Sequence, residues 1–204
     1  MAYRERELTI VTSLGSIKLK VYDCVYEPSD DTALAIESLE RLRDLGFKYS
    51  AVLDLGTGTG VLLAVAEKLF KPLKALAVDI SPYAAYNAKA NLPATSGVVQ
   101  CNAGACLRGP WDLVIVNPPY IPDRVSEVSD DCLYWESVSW SEAPNHELLC
   151  REAARLGRQV LIIRSSLSSL DVDRCLSSLG LRLERRLGSK RLFMEELYAE
   201  LWSH

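Results

Sequence analysis

The sequence predicts a three-layer α/β protein built on a doubly wound, mostly parallel sheet, and two observations carry that prediction. From Ala51 onward, short runs of valine, isoleucine and leucine alternate with segments of ten or more residues at helical spacing. Nearly continuous apolar runs between helices call for parallel strands buried on both faces and joined by right-handed crossovers. The pattern changes only at the end, where two β-rich segments follow each other with no room for a helix between them.

Taken in order, Thr9 to Thr12 and Ile17 to Tyr22 flank Ser13-Leu14-Gly15-Ser16, and the glycine suits the bend of an N-terminal β-hairpin. Leu34, Ala35, Leu39, Leu42 and Leu45 then recur at helical spacing; Asp30 or Asp31 can cap this helix and Gly46 ends it. Strands are expected over Ala51–Leu55, Ala75–Asp79, Val98–Cys101, Asp112–Val116 and Gln159–Arg164, with helices over Gly60–Phe70, Pro82–Leu92, His146–Leu156 and Leu170–Leu179. Leu181–Leu187 and Leu192–Leu201 should form an antiparallel hairpin turning at Gly188-Ser189-Lys190-Arg191. A single domain is expected over residues 1–204, with 1–48 as a hairpin and helix extension and 49–204 as the core. The longest irregular stretch, residues 121–145, is expected to form a lid over the site.

Composition narrows the class. Apolar residues make up 49% and charged residues 25% of the 204, the balance of an ordinary globular chain. The charged N-terminus and the lack of a long apolar run argue against a signal peptide or a membrane span, so a cytoplasmic location is expected. The net charge of -4 gives no general attraction to nucleic acid and leans towards a protein or small-molecule substrate. Six cysteines scattered without a CxxC pair are read as reduced thiols rather than a disulfide framework or a zinc site.

Two stretches carry chemistry. Leu53-Asp54-Leu55-Gly56-Thr57-Gly58-Thr59-Gly60 joins the first sheet strand to its helix, and alternate glycines let a nucleotide-like ligand approach the backbone. Alone it is equally a tight turn or a nicotinamide site. Asp79, ending the next strand, is placed to accept from a ribose diol, or to cap the helix at Pro82. After the third strand, Asn102 could bond an adenine amine while Ala103 packs on the ring; a plain surface turn reads the same way. The second stretch, Asn117-Pro118-Pro119-Tyr120, follows the apolar run 113–116. Two prolines stiffen the chain, so the Asn117 side chain and the Pro118 carbonyl become fixed acceptors beside the Tyr120 ring, which suits a planar NH2 group.

With these motifs in this order, the chain resembles the class I S-adenosylmethionine-dependent methyltransferases. Together, Tyr26-Glu27-Pro28-Ser29-Asp30-Asp31-Thr32, the Asp54 to Gly60 loop and Asn117-Pro118-Pro119-Tyr120-Ile121-Pro122 resemble the HemK/PrmC family, in its short archaeal and eukaryotic branch. That resemblance implies a seven-stranded Rossmann-like methyltransferase fold and S-adenosylmethionine as cofactor. It implies methylation of the glutamine amide in the Gly-Gly-Gln loop of a peptide-chain release factor. It also implies a heterodimer with a small zinc-binding activator subunit at the sheet edge formed by Val98 to Cys101, an apolar edge that needs cover.

By the same resemblance Tyr26 and Pro28 flank the methionyl part of the cofactor, and Thr32 with its helix N-terminus holds the carboxylate, although a capping sequence reads alike. Asp54, Gly56, Thr57, Gly58, Gly60, Asp79, Asn102, Ala103 and Asn117 complete the expected cofactor site. Asn117, Pro118, Pro119 and Tyr120 are the expected catalytic group, with Tyr120 stacking on the flat amide or packing the loop. The chain departs from the family pattern at Asn102, where an acid is usual, and over Trp140 to His146.

Methylation of an adenine amine or of a lysine, and a non-catalytic cofactor-binding scaffold, are the alternatives. The acidic balance speaks against the first. His146 is expected to start a helix rather than to catalyse, Trp135 and Trp140 to anchor the long loop, and Arg182, Arg185, Arg186, Lys190 and Arg191 to form a solvated face.

Overall fold

The computed structural model describes residues 5–118, Trp135, 144–168 and 170–204. Its elements are β1 (Glu5–Thr12), β2 (Gly15–Tyr22), α1 (Asp30–Asp44), β3 (Ala51–Leu55), α2 (Val61–Phe70), β4 (Lys74–Asp79), α3 (Pro82–Asn91), β5 (Gly97–Gln100) and β6 (Trp111–Val116). Then follow α4 (Pro144–Leu156), β7 (Gly157–Ser165), α5 (Val172–Ser178), β8 (Arg182–Arg191) and β9 (Glu196–Ser203).

Seven strands form one sheet in the order β5-β4-β3-β6-β7-β9-β8, parallel from β5 to β7 and antiparallel through β9 and β8. The continuous apolar runs have a direct cause. Along β6, Leu113 and Ile115 enter the core on the side of α1 and α2, whereas Val114 and Val116 enter the core on the side of α4 and α5. Both faces of the strand are therefore covered, and no polar alternation survives. The chain winds β3, β4, β5 in one direction and β6, β7 in the other, so the crevice between the ends of β3 and β6 is the topological switch point.

The N-terminal hairpin is a separate two-stranded sheet laid against α3. Its outer backbone groups are satisfied by two asparagines of that helix. Asn87 accepts from the Tyr22 N–H at 3.0 Å and donates to the Lys20 carbonyl at 2.7 Å, and Asn91 accepts from the Lys20 N–H at 2.8 Å. Side-chain amides thus stand in for a third strand.

Several sequence expectations are corrected. The C-terminal hairpin turns over residues 192–195, where the Leu192 N–H donates to the Glu195 carbonyl, and not at Gly188 to Arg191. Gly188 lies inside β8 at an irregularity in the pairing, and a Cβ there would come within 3.0 Å of Leu34. Its glycine serves the close approach of α1 rather than a turn. The described cysteines are disulfide-bonded rather than reduced: Cys101 is bonded to Cys106 and Cys150 to Cys175, Cys24 is also disulfide-bonded, and Cys132 lies outside the described residues. The first pair closes the turn after β5; the second ties α4 to α5, which pack together. Neither spacing forms a readable motif, because the fold creates both proximities.

The terminal arginines are only partly a solvated face. Arg186 and Arg164 both bond the Glu200 carboxylate, at 2.9 and 3.0 Å, and Glu200 is fully buried. Arg186 also lies over the Tyr198 ring at 4.7 Å, while Lys190 pairs with Asp30 at 2.7 Å. Among the described residues, no helix is long and apolar enough to cross a membrane.

Candidate cofactor and acceptor site

Strand register assembles the site. Leu55 pairs with Val116 and with Val78, and Asp79 pairs with Gln100. The residues that leave these strands, Gly56, Asn117, Asp79 and Cys101, consequently emerge side by side at the C-terminal edge of the sheet, where open α/β sheets bind ligands.

The glycine loop is pinned from below. The Gly56 and Thr57 N–H groups both donate to the Val78 carbonyl, at 2.8 and 3.0 Å, and the Gly60 N–H donates to the Thr57 carbonyl. Gly56, Gly58 and Gly60 all have positive φ, at 75°, 54° and 83°, a region that glycine enters without strain. Their surroundings differ. A Cβ on Gly56 or Gly58 would meet nothing within 4 Å, whereas one on Gly60 would press on Ala88 Cα at 3.1 Å. The first two border open space that a ligand can use, and the third sets the packing of α2 on α3.

Two acids hold this loop, and a third lies at Asn117. Asp54 is buried and accepts from the Thr57 hydroxyl at 2.7 Å. Burial pushes its carboxyl up to about 7; the Thr57 hydrogen bond opposes the rise and nearby Asp79 adds to it. Asp79 accepts from the Gly58 N–H with Oδ2 and from the Ser81 N–H with Oδ1, both at 2.9 Å. Burial raises this carboxyl too, against those N–H groups. Each oxygen keeps a second lone pair for a ligand donor. Ser81, not Asp79, caps α3, through its Ala84 contact.

The third acid, Asp31, reads in the sequence as a possible cap and as part of the Tyr26 to Thr32 motif, with no contact to Asn117 expected. It is 4% exposed. Its Oδ1 accepts from the Thr32 N–H at 2.6 Å and from the Thr32 hydroxyl at 3.3 Å, and its Oδ2 accepts from Asn117 Nδ2 at 3.0 Å. Asn117 Oδ1 is buried and has no hydrogen-bond partner among the described residues. A buried amide oxygen without a partner among the described residues is uncommon and calls for a donor that those residues do not supply. Only a signal linking positions 31 and 117 could have revealed this contact, and one sequence has none.

The remaining expected residues divide. Pro118 is buried at the end of β6; Pro119, Tyr120, Trp140 and nearly all of the expected lid lie outside the described residues. Tyr26 is exposed and Pro28 half-buried ahead of α1, while both Thr32 donors face Asp31. Asn102 is exposed, and Ala103 is buried with φ 48°, in the turn closed by the Cys101–Cys106 bond. Trp135 is half-buried. His146 lies in the first turns of α4, 8% exposed, where burial lowers its pKa and keeps the ring neutral.

The site fits S-adenosylmethionine. Open space over Gly56 and Gly58 admits a nucleoside close to the backbone, and Asp79 has lone pairs for a ribose diol. Asp79 has no ion-pair partner among the described residues, so an acid is left beside the open side of the loop for a ligand that carries a sulfonium and an ammonium group.

Comparison with known proteins agrees. The family described as ribosomal protein L11 methyltransferase matches residues 30–117. A Methanocaldococcus jannaschii protein described provisionally as a protein N5-glutamine methyltransferase is 29% identical over 95% of this chain and 99% of its own length. A release factor glutamine methyltransferase of Bradyrhizobium diazoefficiens is 32% identical over 52% of this chain, which spans only 38% of that relative. The solved E. cuniculi Mtq2 structure, in complex with Trm112, superposes with a TM-score of 0.65 at 22% identity, covering 88% of this chain and 98% of that one. It shares the fold. The chain is similar to these protein methyltransferases and is an enzyme that uses S-adenosylmethionine.

Proposed function

We propose that this enzyme methylates the side-chain amide nitrogen of the glutamine in the Gly-Gly-Gln loop of a peptide-chain release factor. The observation that carries the reading is Asn117. Its Nδ2 is tied to Asp31 and its Oδ1 is buried and open, so the residue presents an acceptor at the switch point beside the glycine loop. The names of the Bradyrhizobium and Methanocaldococcus relatives point the same way.

An amide nitrogen is a poor nucleophile because its lone pair is delocalised into the carbonyl. Bound S-adenosylmethionine supplies an electrophilic methyl on sulfur. Asn117 Oδ1 and the Pro118 carbonyl each accept one N–H of the substrate amide, turning the nitrogen lone pair towards that methyl and stabilising the positive charge that develops on nitrogen. With S-adenosylmethionine bound, its methyl would pass from sulfur to that nitrogen with the thioether as leaving group, and the nitrogen would give up one proton to water. No strong base is needed, since the protonated N-methyl amide is strongly acidic. Tyr120 stacks on the flat amide, and Tyr26, Pro28 and Thr32 border the methionyl end of the cofactor. Asn102 and Ala103 border its adenine.

The enzyme works with a small zinc-binding activator subunit docked on β5. That strand ends the sheet, and Val99 is exposed on it; an unpaired apolar edge invites strand pairing. The Trm112 complex of the solved Mtq2 supports a partner of this kind.

The test offers labelled S-adenosylmethionine and, separately, a release factor, the same factor with its loop glutamine changed, tRNA and DNA. Label is expected on the intact factor alone. Label on the altered factor or only on nucleic acid overturns the proposal.

A further inference from the structure

We propose that Asp31 is a positioning residue that fixes which end of the Asn117 amide faces the methyl acceptor. The claim rests on the reading of Asn117 given above and goes beyond it, since it assigns the direction of that amide to a residue on another element.

An ionised carboxylate only accepts. Asp31 Oδ1 is taken by the Thr32 N–H at 2.6 Å, a backbone donor in the first turn of α1 that cannot turn away. Its other oxygen, Oδ2, stands 3.0 Å from Asn117 Nδ2. Asn117 must therefore give its NH2 to Asp31, and its oxygen is left pointing elsewhere, buried and unpartnered among the described residues. The energy of an unsatisfied buried group makes the alternative costly: flipping the amide would set two acceptors face to face and leave the NH2 in the place of Oδ1. Two neighbouring residues, Thr32 and Asp31, thus decide whether Asn117 accepts from the substrate or donates to it.

The same logic predicts an asymmetric mutant series. In Asp31→Asn, the Thr32 N–H still demands an oxygen, so the new NH2 faces residue 117. Asn117 then flips to offer its oxygen and turns its own NH2 towards the substrate. The side chain keeps its size and the hydrogen bonds inside the protein, but its polarity towards the acceptor is reversed. In Asn117→Asp, two carboxylates face each other at hydrogen-bond distance. Combined, the exchanged pair is complementary again: Asn at 31 donates to one oxygen of Asp at 117, and the other oxygen is free to accept from the substrate amide.

Two readouts test this on the full chain. The first needs no methyl acceptor, so it stands even if the glutamine reading fails. The Asn117 side-chain NH2 signal in 15N NMR, assigned by its loss in Asn117→Asp, should exchange with solvent at least about tenfold more slowly in the wild type than in Asp31→Asn. Equal exchange in the two proteins overturns the proposal. The second is turnover on a release factor. Asp31→Asn should lower kcat roughly a hundredfold, with the KM for S-adenosylmethionine within about twofold. The exchanged pair, Asp31→Asn with Asn117→Asp, should recover at least about tenfold over either single variant. A double variant no better than the product of the two losses overturns it, because a merely structural Asp31 would not be rescued by its former partner. A wild type that turns over no release factor would sink the glutamine reading alone, and the NMR comparison would still decide the role of Asp31.

Discussion

Replacing Asp54 by asparagine should stabilise the protein, and do so increasingly as the pH rises. Asp54 sits at 1% exposure with a carboxyl raised from 3.8 to about 7, chiefly by burial. Below 3.8 the group is protonated in both the folded and the unfolded chain, and it contributes no pH dependence. Between 3.8 and about 7 the unfolded chain has lost the proton while the folded chain still holds it, so stability falls as the pH increases. Above about 7 the penalty is complete: roughly three pH units at about 1.36 kcal/mol each, on the order of 4 kcal/mol. Asparagine keeps an oxygen for the Thr57 hydroxyl but never ionises. Urea denaturation of both proteins at about pH 5 and about pH 8 should show the variant gaining on the wild type by roughly 3 kcal/mol between the two conditions. A difference that does not change with pH would show that Asp54 does not hold a proton in the fold, since lost or gained contacts alone do not titrate.

Two further changes probe the cofactor and the partner. Asp79→Asn removes the charge facing the open side of the loop and should weaken S-adenosylmethionine binding by about 1.5–3 kcal/mol, roughly ten- to a hundredfold in Kd by calorimetry; an unchanged Kd would leave Asp79 as a brace for Gly58 and Ser81 only. Val99→Glu on the edge strand β5 should abolish co-elution with an activator subunit while leaving the melting temperature of the isolated chain within a few degrees, because the side chain is exposed; retained co-elution would move the interface elsewhere.

The layer architecture was legible because buried parallel strands write themselves as apolar runs, and β3, β4, β6 and β7 were placed within a residue or two at most of their ends. The glycine loop and Asn117 were legible for a related reason, since strand ends at a switch point are where a fixed backbone meets a ligand. What failed were features made by contacts distant in sequence. Gly188 looks like a turn residue until α1 is known to lie against it. Cys150 and Cys175 are unremarkable until α4 and α5 pack together. Asp31 reads as one of two acids in a helix start, and only the fold sets its carboxylate on Asn117, 86 residues away. Arg186 and Glu200 belong together for the same reason: β8 and β9 pair them across the hairpin. Spacing reports periodicity well, but it does not report which buried charge finds which partner.

The central claim is that the open oxygen of Asn117 orients a glutamine amide for methyl transfer. The most direct measurement is peptide mass spectrometry of a release factor after incubation with the enzyme, its activator and S-adenosylmethionine, run for the wild type and for Asn117→Ala. The account predicts one methyl group on the loop glutamine with the wild type, and at least about a hundredfold less with the variant, whose calorimetric affinity for the cofactor stays within about threefold. Methylation at another residue, or an Asn117→Ala enzyme that still modifies the glutamine at the wild-type rate, would contradict it.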